Sequence, residues 1–307
     1  MRKASLPVAG QGVLTRELIM DKKKIEATAI DTDRRDFVAG TASLIAGMMA
    51  SGAASAAESS VQPLAAPATQ KNTVLVTGAS RGLGFEFTRQ YSQLGWRIIA
   101  TCRNPGNAEQ LNALAAENSD IRVERIDVVD HQSIDDLAVK YQNMPIDVLL
   151  NNAGIGGGPE NQLFGRLDYE VFYEVLAVNC VGPMKMAESF LDHVKAGTQK
   201  KIITVSSSQG SISQVSMPML YWYRSSKSAL NMLMTNLALQ LKRRKVIVGL
   251  VTPGATATDF ISPEFRKRIP GIREPAVAAA DMMRNIDKFT LENTGTFFNY
   301  DGDIMPW

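Results

Sequence analysis

Tyr223 and Lys227 stand four residues apart in LYWYRSSKSALNMLMTNLALQL, residues 220–241, a stretch with helical periodicity that puts both side chains on one face. A free phenol ionises near 10, and an ammonium one turn away lowers that value by favouring the phenolate. A phenol poised in this way can give a proton to a carbonyl oxygen while a nicotinamide delivers hydride to the carbon. Tyr221 is six residues from Lys227 and about 240° away around the helix, so Tyr223 is the candidate of the two. On its own the spacing decides little, because aromatic and lysine side chains so placed usually do no more than pack and solvate.

A second chemistry is written in TGASRGLG, residues 77–84, which follows an apolar run and opens a helical one. Gly78 permits the tight turn, Gly82 lets backbone amides approach a pyrophosphate, and Gly84 allows close packing of helix on sheet. The helix N-terminus adds partial positive charge, and Ser80, Arg81 and Leu83 complete this nucleotide loop. In an NAD site an acidic residue ending the second strand accepts from the ribose 2′-hydroxyl. Here IIATCRNP puts Cys102 at that position and Arg103 after it. Arg103 and Arg81 would pair with a 2′-phosphate, so NADP(H) is preferred over NAD(H).

Residues so far apart need a scaffold that gathers them. From Asn72 onward short apolar runs (TVLVT, RIIAT, IRVERIDV, IDVLLNN) alternate with helical patterns. Unbroken apolar strands separated by helices imply parallel strands covered on both faces. Residues 168–195 and 221–244 read as two long helices around the strand KIITVS; VIVGLVT, a helix near 275–287 and GTFFNY follow. The expected fold is α/β, a single doubly wound Rossmann domain over residues 72–307, with a seven-stranded, mostly parallel sheet. KRRK at 242–245 ends a helix, where cations suit the dipole.

With 33 basic and 31 acidic side chains and no basic stripe, the chain does not read as a nucleic-acid binder. Cys102, Cys180, His131 and His193 have no zinc-ligand spacing, so no metal is expected, and both cysteines read as reduced and structural. The beginning of the chain is different. Residues 37–57, FVAGTASLIAGMMASGAASAA, carry no charge, follow Arg34 and Arg35, and place small residues at Ala54 and Ala56. That pattern reads as an export signal with an A-x-A-like cleavage site. TDRRDFVAG resembles a twin-arginine signal, which implies a bacterial protein exported folded to the periplasm, touching the membrane only through the export machinery. A leader retained in the cytoplasm is the alternative. Residues 1–57 are thus the leader, with Met1 or Met20 as start, and residues 58–71 a Pro/Ala/Ser linker.

TGASRGLG, NNAG at 151–154, VNCVG at 178–182, VSSSQG at 205–210, YRSSK at 223–227 and TPGATATD at 252–259 occur in one order. That series resembles the short-chain dehydrogenase/reductase family, from Thr73 to the last residue. YRSSKSALNM and TGTFFNYDGDIMPW look closest to its C-factor and Sniffer-like carbonyl reductases. The resemblance implies Tyr223 as acid/base, Lys227 holding the nicotinamide ribose, Ser207 as donor to the substrate oxygen, and Asn179 in a water-linked proton relay. Ser207 is chosen over Ser206 and Ser208 because S-x-x-G ends at Gly210. Asn151, Ala153 and Gly154 would lie along the adenine side, Asp127 and Val128 at the adenine ring, and Pro253, Gly254 and Thr258 beside the nicotinamide. A small carbonyl or alcohol is the implied substrate, and a homodimer or homotetramer the implied assembly.

Fifteen residues separate Ser207 from Tyr223, more than is common in the family, and include Met217, Pro218 and Met219. These methionines, with Tyr221 or Trp222, line an adaptable apolar pocket or pack against a neighbouring loop or subunit. A non-catalytic nucleotide-binding signalling or regulatory protein is the alternative function; binding alone needs neither Ser207 nor Tyr223.

Overall fold

Strand β1 (Thr73–Thr77) is buried along its whole length, as an unbroken run of threonine, valine and leucine requires of a strand covered on both faces. It is the first strand of the computed structural model, which describes residues 71–307. The expected leader, and all but the last residue of the expected linker, lie outside the described residues. The strand–helix units continue with α1 (Gly82–Gln93), β2 (Arg97–Cys102), α2 (Glu109–Glu117), β3 (Ile121–Arg125), α3 (His131–Lys140) and β4 (Val148–Asn151). A short hairpin, β5 (Gln162–Leu163) and β6 (Arg166–Leu167), precedes the helical segments α4 (Tyr169–Leu176), α5 (Gly182–Ser189) and α6 (Leu191–Ala196). Then come β7 (Lys201–Val205), α7 (Tyr221–Lys242), β8 (Ile247–Val251), the single turn α8 (Pro263–Arg266), α9 (Pro275–Asp287) and β9 (Phe297–Phe298).

Seven strands pair in the order β3-β2-β1-β4-β7-β8-β9, and every neighbouring pair is parallel. Strand residues alternate between two cores. Leu75, Ile99, Leu149, Ile202 and Val248 face one core, closed by Ile134 of α3, Met186 of α5 and Leu230 and Met234 of α7. Val74, Ile98, Val148, Ile203 and Ile247 face the other, closed by Phe87 of α1, Leu111 of α2 and Met282 of α9. The strand order reverses between β1 and β4, and the carboxyl ends of those strands open a crevice there.

The expected helix over 168–195 is not continuous. Pro183 has no N–H, so the carbonyl of Asn179 lacks its donor four residues on, and the chain makes a π turn over Ala177–Val181 in which Gly182 N–H bonds the Ala177 carbonyl. A second break falls at the buried Phe190. The β5–β6 hairpin has no counterpart in the sequence reading, since two-residue strands carry no periodicity.

Leu149 is fully buried in β4, between β1 and β7. Leu149→Ala should lower unfolding free energy by roughly 2–5 kcal/mol, read from urea melts as a lower midpoint at unchanged slope. A loss below about 1 kcal/mol would contradict a closed core around β4.

Candidate active site

Beyond Thr77 the chain turns through Gly78 (φ +69°) and Gly82 (φ +56°), conformations that side chains disfavour. A Cβ on Gly84 would sit 2.1 Å from the Gly78 carbonyl oxygen, so loop and helix approach as only glycine permits. No side chain caps α1, and its first amides are left for an anion. Beside them lies a cleft of about 600 Å³ lined by Ser80, Arg81, Gly82, Arg103, Asn104 and Thr258 among others. Both predicted arginines therefore share one cleft. Cys102 ends β2 as a buried thiol, so no carboxylate occupies the ribose position there. Asp259 and Glu109 also border the cleft. Arg81 lies 3.7 Å from Asp259 with both side chains about two-thirds exposed, a pair worth at most about 1 kcal/mol.

The other predicted cofactor residues divide. Leu83 and Val128 pack on the two cores, and Asp127 accepts a local bond from Val129 N (3.3 Å); Asp127 and Val128 do not line the cleft. A Cβ on Gly78 would touch Ala153 Cα at 3.0 Å, so the β1 and β4 loops meet back to back. Asn151 Nδ2 reaches the Pro183 carbonyl at 3.4 Å, and its Oδ1 is buried without a protein partner, an acceptor a bound donor could satisfy. Gly254 (φ +71°) follows Pro253 beneath the Tyr300 ring, and Thr258 lies 3.3 Å from where Gly82 would carry a Cβ. Two residues missed in the sequence stitch the loops together. Thr77 Oγ1 accepts from Asn152 N and Ala153 N (both 3.0 Å), while Asn152 Nδ2 donates to the Thr77 carbonyl (2.9 Å). The doubled asparagine of NNAG was the available signal.

Deeper in the crevice, Asn179, Ser207, Tyr223 and Lys227 come together, with Gly154 between two of them: its Cβ would lie 3.2 Å from Asn179 Oδ1 and 3.8 Å from Lys227 Nζ. Lys227, 5% exposed, donates to the Val205 carbonyl at 3.0 Å. The Ser207 oxygen accepts from Gln209 N at 3.2 Å, and its hydroxyl acts on the Tyr223 phenol in the direction that favours ionisation. Ser206 is spent elsewhere, on Asn231 Oδ1 at 2.6 Å, which separates the adjacent serines. Gly210 matters because a Cβ there would lie 2.9 Å from the Lys227 backbone. Only glycine lets the serine turn rest on α7. Asn179, fully buried, takes both backbone groups of Ile155 (Oδ1 from N, 2.9 Å; Nδ2 to O, 2.9 Å) and also donates to Ser226 Oγ at 3.0 Å.

A family model described as short chain dehydrogenase matches residues 72–268. The chain belongs to this family. It is 31% identical to C-signal of Myxococcus xanthus over 163 residues, 53% of this chain and 93% of that one. Among solved structures, carbonyl reductase Sniffer of D. melanogaster aligns with TM-score 0.71 at 28% identity, over 78% of this chain and all of that one. An NADPH-bound carbonyl reductase from chicken fatty liver aligns with TM-score 0.70 at 25% identity, over 78% and 100%.

In this short-chain dehydrogenase the acid–base balance differs from the sequence expectation. Burial pushes the Tyr223 phenol up to about 12, with the nearby Ser207 hydroxyl pulling the other way, and burial pushes Lys227 down to about 8. The expected lowering of the phenol by the ammonium is not found. Lys227 Nζ lies 5.9 Å from the Tyr223 ring centroid and is committed to Val205, so desolvation of the phenolate outweighs its field. Around neutrality the phenol is an acid and the lysine mostly a cation.

The flanks separate the alternatives left open for the aromatic and methionine residues. Trp222 is buried and stacks on Phe172 (4.4 Å, 26°), so it packs rather than lines a pocket. Met217, Met219 and Tyr221 border a cavity of about 400 Å³ beside the start of α7, which neither Ser207 nor Tyr223 lines. Phe260, which nothing in the sequence singled out, sits with its ring 5.1 Å from that of Tyr223 and over Gly156. Cys102 and Cys180 are buried free thiols.

A lysine whose folded value is about 8 and whose ordinary value is 10.5 binds fewer protons folded than unfolded between those pH values, so stability rises with pH there. Lys227→Met removes that slope. Its unfolding free energy relative to wild type should therefore fall by about 3 kcal/mol from pH 7 to pH 11, measured by chemical denaturation. A pH-independent difference would contradict the burial of a charged lysine.

Proposed function

We propose that this short-chain dehydrogenase is an NADP(H)-preferring oxidoreductase that reduces a small aldehyde or ketone, or oxidises the corresponding alcohol, with Tyr223 as acid/base. The observation that carries the reading is the convergence of Asn179, Tyr223 and Lys227 beside Ser207, around Gly154 and the end of β7, with Arg81 and Arg103 lining the cleft by the glycine loop. The bound nicotinamide would supply or accept the hydride. The two arginines and the N-terminus of α1 suit the phosphates, and the absence of a carboxylate ending β2 suits a 2′-phosphate. Support comes also from the similar carbonyl reductase described as NADPH bound. Tyr223, held protonated, gives its proton to the carbonyl oxygen, and Ser207 donates to the same oxygen as it gains charge. Lys227 keeps a cation behind the phenol and restores favourable charge once the proton has left.

A second reading, a nucleotide-binding signalling protein without turnover, draws on the relative named C-signal. The presence of both Ser207 and Tyr223 beside the buried Lys227 weighs against it, since holding a nucleotide requires neither hydroxyl.

The test follows NADPH absorbance with a panel of carbonyl compounds. Tyr223→Phe should lower kcat by about a hundredfold or more while the NADPH Kd stays within about twofold. Equal rates for the two proteins would overturn the mechanism, and tight nucleotide binding with no turnover on any compound would favour the second reading. Arg103→Glu should reduce the preference for NADPH over NADH by about tenfold to a hundredfold, the worth of one charge-assisted hydrogen bond. An unchanged preference would remove Arg103 from phosphate recognition.

A further inference from the structure

Helix α7 begins without a cap of its own. Leu220, which precedes it, is in the left-handed region (φ +52°, ψ +47°) and offers no side-chain acceptor, so the first N–H groups of the helix need partners from elsewhere. The N–H of Tyr223, third in the helix, is met by Gln162 Oε1 at 2.9 Å, from the β5–β6 hairpin sixty-one residues earlier. Gln162 is 1% exposed, and its Nε2 donates to the carbonyls of Gly156 (2.7 Å) and Gly158 (2.8 Å). The orientation of this amide is unambiguous, because the flipped form would set NH₂ against N–H and a carbonyl against two carbonyls.

The Tyr223 carbonyl is tied to the same loop by a second route. It accepts from Ser226 Oγ at 2.8 Å, that hydroxyl accepts from Asn179 Nδ2 at 3.0 Å, and Asn179 holds both backbone groups of Ile155. Both backbone polar groups of the acid/base candidate therefore end on residues 155–158, the segment that follows NNAG.

We infer that Gln162 is a positioning residue for Tyr223, a cap supplied from a distant hairpin that fixes where the first turn of α7 sits and so where the phenol is held. This rests on the reading of Tyr223 as acid/base. Gln162 touches neither the arginine cleft nor the glycine loop, so its removal should act on turnover rather than on nucleotide binding.

Gln162→Met keeps the length of the side chain and removes all three hydrogen bonds. It should lower kcat by about tenfold to a hundredfold, the scale of an ångström-sized misplacement, with the NADPH Kd within about twofold. Amide hydrogen exchange of the full chain supplies a readout independent of turnover: the Tyr223 amide should exchange at least about tenfold faster, with residues 228–240 unchanged. Gln162→Glu, which keeps the acceptor toward Tyr223 and loses at least one donor toward the loop, should show the smaller loss in kcat. It also serves as the test should the methionine variant fail to fold. Unchanged kcat and unchanged Tyr223 exchange in a folded variant would overturn the inference. Loss of activity only in proportion to loss of folded protein would reduce Gln162 to a stabilising role. If Tyr223→Phe were fully active the functional reading would fail instead, whatever Gln162 does.

Discussion

The bond from Lys227 Nζ to the Val205 carbonyl joins a buried cation on α7 to the last residue of β7, and the inner half of the site is arranged around that tie. A cation kept from water is tolerated only where acceptors are aimed at it. Drawing α7 onto the end of β7 brings the serine turn against the helix, which forces glycine at 210. It spends Ser206 on Asn231 and leaves the Ser207 hydroxyl free of that helix, on the side of Tyr223. The parallel sheet supplies what this geometry requires: strand ends that all open on one edge, with the order reversing at β1 and β4.

Much of this was legible because the constraint is steric. Gly78, Gly84 and Gly210 can be read from spacing, since each stands where a side chain would collide with backbone. The strands could be read from unbroken apolar runs, and α7 from its periodicity to within two residues of its observed end. The π turn was legible only through Pro183, whose effect on a carbonyl four residues earlier shows once the helix is drawn. What stayed hidden was long-range contact, most of it polar. Gln162, Thr77, Asn152 and Phe260 reach the site across many residues of chain, and a lone glutamine or phenylalanine in a loop announces no partner. The acid–base balance was hidden for another reason: spacing gives the angle between Tyr223 and Lys227, but not the burial that raises one and lowers the other.

The outer half is built on different terms from the inner. Arg81 and Arg103 are largely exposed and share their cleft with Asp259 and Glu109, so charge there is screened and exchangeable. Around Tyr223 the nearby cation, Lys227, is buried and tied to Val205, and Gln162 and Asn179 tie the backbone of α7 to residues 155–158. The crevice thus has an exposed, charged end and a buried, hydrogen-bonded one.

The π turn at Ala177–Val181 sets the rotational phase of everything that follows it in the same helical run. One additional residue in a helix turns the downstream side chains by about 100°. Met186 and Phe190 face the core only because this slip occurs before them. Two members of the family that differ by one residue in this stretch would present different faces of α5 to the same sheet, so a change in length there would be felt along the whole of α5.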